Sequence, residues 1–363
     1  MKKKMLKSAL KLAPFALVPA LVAIKNLSDK FAVVEVPDCL IDLHLHLDGS
    51  LSVESVKQLA AMQNIEIPAS DAEIKEKISL TGNCKDLNEY LDKFGFALSL
   101  LQTKEAVSQA VYNLKEELKQ QGLIYAEIRF APQRHCDKGL TQEEVVLAAI
   151  EGMNRSDLKT GLILCCMRGN DNKAENLETL RLAEKYREMG VCAADLAGAE
   201  ALYSMDSFKY IFDECRRLGV RYTVHAGEAA GPENVHRALL FEAERIGHGI
   251  RSYEDLCVLK EVVAYHIPLE FCPTSNLNTS IFECIEDYPF VRYLDAGACI
   301  TVNTDNMSVS DTTLKKEWQL LIDTFGLKKD DVKKLLLNSA KAAFTDEKTR
   351  AELIDKIEKE FEK

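Results

Sequence analysis

Eight short apolar runs, each followed by a longer charged stretch, organise this 363-residue chain from residue 38 onward. The runs span residues 41–47, 124–130, 161–167, 191–197, 222–225, 245–248, 267–272 and 299–303. Strands apolar on both sides need cover on both faces. The stretches between them, such as 176–189 and 207–218, carry apolar residues at three- and four-residue spacing and supply that cover as helices. Alternating strands and helices predict a parallel α/β fold, and eight strands close a TIM (β/α)8 barrel. A doubly wound open sheet is the rival architecture. The GxGxxG and GxxxxGK[ST] loops that would favour it are absent. Later runs recur roughly every 20–35 residues, whereas more than 70 separate the first two. That gap, from Gly49 to Gly122, predicts a helical insertion after strand 1. Such an insertion sits at the barrel's C-terminal mouth and can form a pocket wall or lid. The expected organisation is a leader over residues 1–37 and a barrel domain over residues 38–363.

Charge separates the same two parts. Lys and Arg total 46 against 57 Asp and Glu, a net −11. Residues 1–30 hold seven lysines and one acid, giving +6, so the remainder has 39 bases and 56 acids, giving −17. A body that acidic lacks the basic footprint of a nucleic-acid-binding protein. In the leader, three lysines precede a 13-residue apolar run from Leu12 to Ile24. The run is short of the roughly 20 residues of a membrane span but fits a signal peptide, with small residues at Ala20 and Ala23. Lys7, Lys11, Pro14 and Pro19 oppose that reading. Membrane-surface association through residues 1–30, or an extension without regular structure, stands beside it. Eleven cysteines without a CxxC spacing signal neither a zinc ribbon nor a disulfide framework, and favour a cytoplasmic location over export. No interface signature indicates an oligomeric state.

Polar residues cluster where the apolar runs end. The first run closes on His44-Leu45-His46-Leu47-Asp48-Gly49, and the fifth on Val224-His225-Ala226-Gly227-Glu228. The sixth closes on Gly247-His248-Gly249 and the eighth on Val302-Asn303-Thr304-Asp305-Asn306. Residues i and i+2 of a strand share a face, so His44 and His46 can converge on one metal. All four motifs fall at the C-terminal ends of strands, the face where barrel enzymes work. A lone strand-end histidine is more often hydrogen-bonded structure, and Asp305 alone could cap a helix. Four such motifs in succession are not expected by chance. His135, His236 and His266 lack this context and read as structural or surface residues.

Three imidazoles and a carboxylate form a nitrogen-rich donor set suited to zinc with an open position for water. The HExxH and PCxxC patterns are absent. The fourth run ends Asp195-Leu196-Ala197-Gly198, without a lysine to bridge two metals, so one metal per chain is expected. His248 is then placed to orient or deprotonate the water, and Glu228 to shuttle a proton.

In order along the chain, DLHLHLDGS, EIRFAP, LCCMR, DLAGAE, TVHAGE, RIGHG, FCPTSN and NTDN resemble the adenosine deaminase family of metal-dependent amidohydrolases, over roughly residues 38–345. FCPTSN and NTDN are closest to its bacterial branch. The resemblance implies a TIM barrel with Zn2+ on His44, His46, His225 and Asp305, and His46 also on the substrate side. It implies that Glu228 protonates purine N1 and that His248 assists attack of water at C6, with Asp305 contacting that water. Gly198 would meet N3 through its backbone, and Asp48 the ribose 5′-hydroxyl. Leu87, Tyr90, Leu91 and Phe94 match the family's apolar lid helix. Their spacing of 0, 3, 4 and 7 is also one helical face, so core packing remains an alternative.

Many family members carry a second acid where this chain has Asn306, and that acid helps hold N7. An amide donates at any pH whereas an acid must be protonated to donate, so Asn306 is expected to preserve the contact. The carboxylate of Asp48 would repel a 5′-phosphate. The implied activity is therefore hydrolytic deamination of adenosine and 2′-deoxyadenosine, a purine-salvage reaction at a cyclic amidine C–N bond, without redox or nucleotide cofactor. A deaminase of adenine or of a modified nucleoside is the enzymatic alternative. A silent barrel acting as a binding protein would predict loss of a ligand or of Glu228, and neither is lost.

Overall fold

The apolar runs become parallel strands in a computed structural model that describes residues 34–362. The leader reading for residues 1–33 lies outside the described residues. The strands are β1 (Leu40–His46), β2 (Leu123–Phe130), β3 (Thr160–Met167), β4 (Val191–Ala197), β5 (His225–Ala226), β6 (Ile246–His248), β7 (Leu269–Phe271) and β8 (Ile300–Val302). They pair in sequence order as two four-stranded runs, β1 to β4 and β5 to β8. Parallel bridges join the runs at both seams, Ala194 to Tyr222 and Leu45 to Asp305. At the second seam His46 N donates to Asp305 O and Asp305 N to His44 O, each at 2.7 Å. The architecture is a (β/α)8 barrel. Its second half has shorter ladders than the apolar runs predict. Most of 222–225 lies outside a regular strand, with Tyr222 contributing a single bridge.

Five helices occupy the chain between β1 and β2: α1 (Val53–Gln63), α2 (Asp71–Ile78), α3 (Leu87–Leu91), α4 (Phe94–Leu100) and α5 (Lys104–Gln120). Local signals start them. The Ser52 side chain caps α1 by accepting from Ser55 N, and Ser70 with Glu73 forms a reciprocal capping box at α2. The single helical face expected through Leu87 and Phe94 is interrupted, because α3 stops at Leu91 and α4 begins at Phe94. Asp92 and Lys93 keep right-handed helical dihedrals across the break, so the chain continues without reversing. Beyond β2, α6 (Gln142–Asn154), α7 (Lys173–Lys185), α8 (Lys209–Leu218), α9 (Pro232–Leu240) and α10 (Leu256–Ala264) each follow one strand. After β7 come α11 (Pro273–Asn278) and α12 (Phe290–Asp295), and after β8 come α13 (Leu314–Phe325), α14 (Lys329–Ala342) and α15 (Glu347–Glu362). No helix among the described residues is long and apolar enough to cross a membrane.

Beneath the mouth, the barrel interior carries charge as well as apolar packing. Arg129 and Arg245 are buried, and a buried guanidinium must be paired and hydrogen-bonded to be tolerated. Arg129 reaches Asp195 at 3.1 Å and Glu270 at 2.9 Å, while Arg245 reaches Glu127 at 2.6 Å and Glu270 at 2.7 Å. Five charged side chains from β2, β4, β7 and the entry to β6 thus lock the strands together directly below the C-terminal mouth.

Candidate active site

β1 puts His44 and His46 on one face, as period-two geometry requires. β5 presents His225, and Asp305 follows β8 with its backbone in the left-handed region, at φ 63°. Non-glycine residues seldom adopt that conformation, which clusters at functional sites. His248, closing β6, does so too, at φ 59°. The four expected donors meet: His225 Nε2 lies 3.1 Å from His44 Nε2 and 3.3 Å from His46 Nε2. Asp305 Oδ1 lies 3.4 Å from both His44 Nε2 and His46 Nε2. Atoms ligating one ion at about 2.0–2.2 Å stand about 3–4 Å apart.

Ring tautomers sharpen the fit. His44 Nδ1 is 2.8 Å from Glu270 Oε2, and His225 Nδ1 is 2.9 Å from Asp195 Oδ2. Glu270 hydrogen-bonds His44 Nδ1 and the charge of Asp195 beside His225 Nδ1 favours the proton there, so the two Nε2 lone pairs face each other at 3.1 Å. That repulsion is relieved by a cation between them. Asp305 keeps Oδ1 toward the histidines because Ser275 Oγ donates to Oδ2 at 2.6 Å. Burial, opposed in part by Asp305, holds the His46 pKa well below its ordinary value, and burial lowers that of His225, leaving both neutral. The centre therefore draws positive charge. The residues fit a metal.

Glu228 and His248 complete the group. Glu228 Oε1 lies 3.6 Å from His248 Nε2, and both side chains are buried. Burial first, then the charges of Asp305 and Glu200, push the Glu228 pKa well above its ordinary value, in the direction that favours the protonated acid. Burial and the neighbouring His44 hold His248 neutral. Asn276 presents Nδ2 to His248 Nδ1 at 3.1 Å and accepts from the Tyr288 hydroxyl on Oδ1 at 3.1 Å. With Nδ1 accepting, the ring proton sits on Nε2, toward Glu228.

A cavity of about 320 Å³ opens over these atoms. Its wall includes His46, Asp48, Gly198, His225, Glu228, Asp305 and Asn306 together with Leu87, Tyr90, Leu91 and Phe94. The last four answer both readings at once. Leu87 and Tyr90 are buried in a small core with Cys84 and Val309, Leu91 and Phe94 pack against it, and all four face the cavity. His44 and His248 stand behind this wall. The other three histidines lie elsewhere: His135 Nδ1 contacts Leu101 O at 3.0 Å, His236 pairs with Glu261 at 2.8 Å, and His266 follows α10.

Sequence reasoning missed the roles of Asp195 and Glu270 on the ring nitrogens, of Arg129 between them, and of Ser275 and Asn276 on α11. The available signal was a charged residue inside each of the apolar runs of β2, β4 and β7. Met167 and Arg168, which close the LCCMR motif, also line the cavity, as do Arg134, Leu202 and Tyr203, which no motif announces.

Three imidazoles and one carboxylate thus converge at the C-terminal mouth of a (β/α)8 barrel as one candidate metal centre. The family model described as adenosine deaminase matches residues 39–360, and the chain belongs to the adenosine deaminase family. It is 47% identical over 331 residues to an adenosine deaminase of Haemophilus ducreyi, covering 89% of this chain and 96% of the relative. An adenosine deaminase of Clostridium acetobutylicum is 37% identical over 324 residues, covering 88% and 96%. Among solved structures, an adenine deaminase from Arthrobacter aurescens has a TM-score of 0.80 at 26% identity, covering 90% of this chain and 100% of that one.

Proposed function

We propose that this chain hydrolyses adenosine and 2′-deoxyadenosine to inosine and 2′-deoxyinosine, releasing ammonia, with one zinc ion held by His44, His46, His225 and Asp305. The observation that carries this reading is a buried Glu228, whose surroundings favour the protonated acid, set beside the four-donor centre at one cavity. When bound, zinc supplies a water acidic enough to serve as a nucleophile at neutral pH. The chain's own residues do the rest. Glu228 delivers its proton to purine N1, which withdraws electron density from C6 as the water attacks. His248, with its proton on Nε2, orients the attacking oxygen rather than deprotonating it. Asp305 contacts the same oxygen. Of the water's two protons, one returns to the Glu228 carboxylate and the other passes to the C6 amine, which leaves as ammonia as the C6 carbonyl forms. The Gly198 backbone receives N3, Asn306 donates to N7, and Asp48 receives the 5′-hydroxyl beside His46. Leu87, Tyr90, Leu91 and Phe94 cover the base and exclude bulk water. The working domain is residues 38–363, and the leader serves location.

The likeness to an adenine deaminase at 26% identity keeps free adenine as the second substrate to compare. The test is loss of adenosine absorbance at about 265 nm with and without chelator, followed by an ammonia-release panel of adenosine, adenine and AMP. Adenosine turnover that chelation stops and zinc restores is expected, and faster turnover of adenine would transfer the assignment. Glu228→Gln is expected to abolish turnover while metal content stays at one per chain. Metal loss in that variant would assign Glu228 to the metal centre instead.

A further inference from the structure

We propose that Glu200 is a positioning residue whose buried carboxylate, gripping the backbone N–H groups of residues 227–230, fixes where Glu228 delivers its proton. The proposal rests on the role given to Glu228 under the proposed function.

Glu200 lies just after the β4 turn, 27 to 30 residues before the groups it binds, and is buried. Its Oε1 accepts from Gly227 N at 2.8 Å and from Asn234 Nδ2 at 2.9 Å. Its Oε2 accepts from Glu228 N at 3.0 Å, Ala229 N at 2.8 Å and Ala230 N at 2.9 Å. Successive N–H groups converging on one carboxylate form an anion-binding nest, here filled from within the chain. Charge-assisted hydrogen bonds of this kind are strong and directional. The opposite edge of the loop is also held. Arg251 N donates to Gly227 O at 3.1 Å, and Arg251 Nη1 to Ala229 O at 3.0 Å. Gly227 is left-handed at φ 67°, and a Cβ there would come 2.5 Å from Val235 Cγ2, so the loop has little freedom to relax elsewhere. Both the donor and the acceptor of the peptide unit joining Gly227 to Glu228 are clamped, and one clamp comes from the turn that carries Gly198. The purine-facing turn and the acid therefore move as one body.

An acid that acts in the transition state should lose kcat when it wanders, with substrate affinity less affected. Glu200→Gln keeps the volume but turns an NH2 toward donors. Its kcat on adenosine is expected to fall about 100-fold, the scale of an ångström misplacement, with KM changed far less. Metal content should stay at wild-type level while hydrogen exchange of the amides of residues 227–230 accelerates. In Glu200→Ala, added formate should refill the nest, slow that exchange and restore part of kcat.

Wild-type kcat in Glu200→Gln, loss of metal, or a KM rise matching the kcat loss would each overturn the proposal. So would a folded Glu200→Ala that formate does not rescue; if that variant fails to fold, Glu200→Gln decides alone. A wild-type protein inert toward adenosine would sink the proposed function. The exchange measurement would then still report whether Glu200 holds the loop.

Discussion

Asn306 shows how tightly single residues are confined at this mouth. A Cβ on Gly49 would come 1.8 Å from Asn306 Oδ1, so the glycine of the LDG sequence makes room for the amide. Nearby, the Tyr90 hydroxyl is 2.8 Å from Ser310 Oγ. Burial and the charge of Asp305 raise the Tyr90 pKa well up, against hydrogen bonds from Ser310, Ser275 and Asn306. Replacing Asn306 with aspartate therefore puts a carboxyl beside Asp305 in a buried place, where both effects raise its pKa. Below that pKa the new group can donate to N7; above it the group is an anion facing an acceptor. The ratio of Asn306→Asp to wild-type kcat/KM should fall as pH rises through the new carboxyl's pKa. A variant more active at neutral pH with an unchanged profile would show that Asn306 does not serve as a donor to N7.

Elements bring together what no local stretch of sequence contains. The HxH pair and the motifs closing β5, β6 and β8 were legible because each sits within a few residues of a strand end. The shared face of His44 and His46 follows from strand geometry alone. Glu270 was not legible as a partner of His44, because 226 residues separate them and only barrel closure makes them neighbours. Asp195 and His225 lie on consecutive strands, β4 and β5, yet no spacing pattern links the fourth apolar run to the fifth and marks them as partners. The break between α3 and α4 was also invisible, since the apolar spacing continues straight across it. Asp195→Asn should keep the fold but weaken tautomer control at His225 and leave Arg129 one partner short. Metal affinity, read by chelator competition, is expected to drop about 10–100-fold, with turnover per bound metal affected less. Unchanged affinity would mean that Glu270 and packing suffice. The turn after β2 carries a separate sensitivity. His135 is buried, donates to Leu101 O beyond the end of α4, and has no partner on Nε2 among the described residues. Burial lowers its pKa from the ordinary 6.5 to about 4. The unfolded chain therefore binds a proton that the folded chain refuses, and stability is lost as pH falls from 6.5 toward 4. The loss amounts to about 3 kcal/mol at the low end. His135→Asn, which retains a donor for Leu101 O, should start less stable but show a flatter fall of Tm across that interval. Parallel curves for the two proteins would place the acid sensitivity elsewhere.

At the scale of the whole molecule, the charge of −17 outside residues 1–30 is compatible with the chemistry because the proposed substrate is an uncharged nucleoside. Recognition then depends on the cavity wall and needs no attractive field. The acids that matter are enclosed: Glu228, Asp305 and Glu200 are buried, and solution ions screen such groups little. The +6 of residues 1–30 is a different kind of charge, attached before β1 begins at Leu40 and contributing none of the proposed catalytic or ligating side chains. Attraction of a basic, apolar segment to anionic lipid depends on salt because that attraction is electrostatic. Removing residues 2–30 should leave kcat/KM for adenosine and metal content unchanged. It should abolish binding of the purified protein to vesicles containing anionic lipid, which the full chain is expected to bind more weakly as salt is raised. A fall in kcat/KM on removal would bring the leader into the catalytic domain's account. Equal vesicle binding by both proteins would move the membrane contact onto the barrel, whose acidic surface is poorly suited to it.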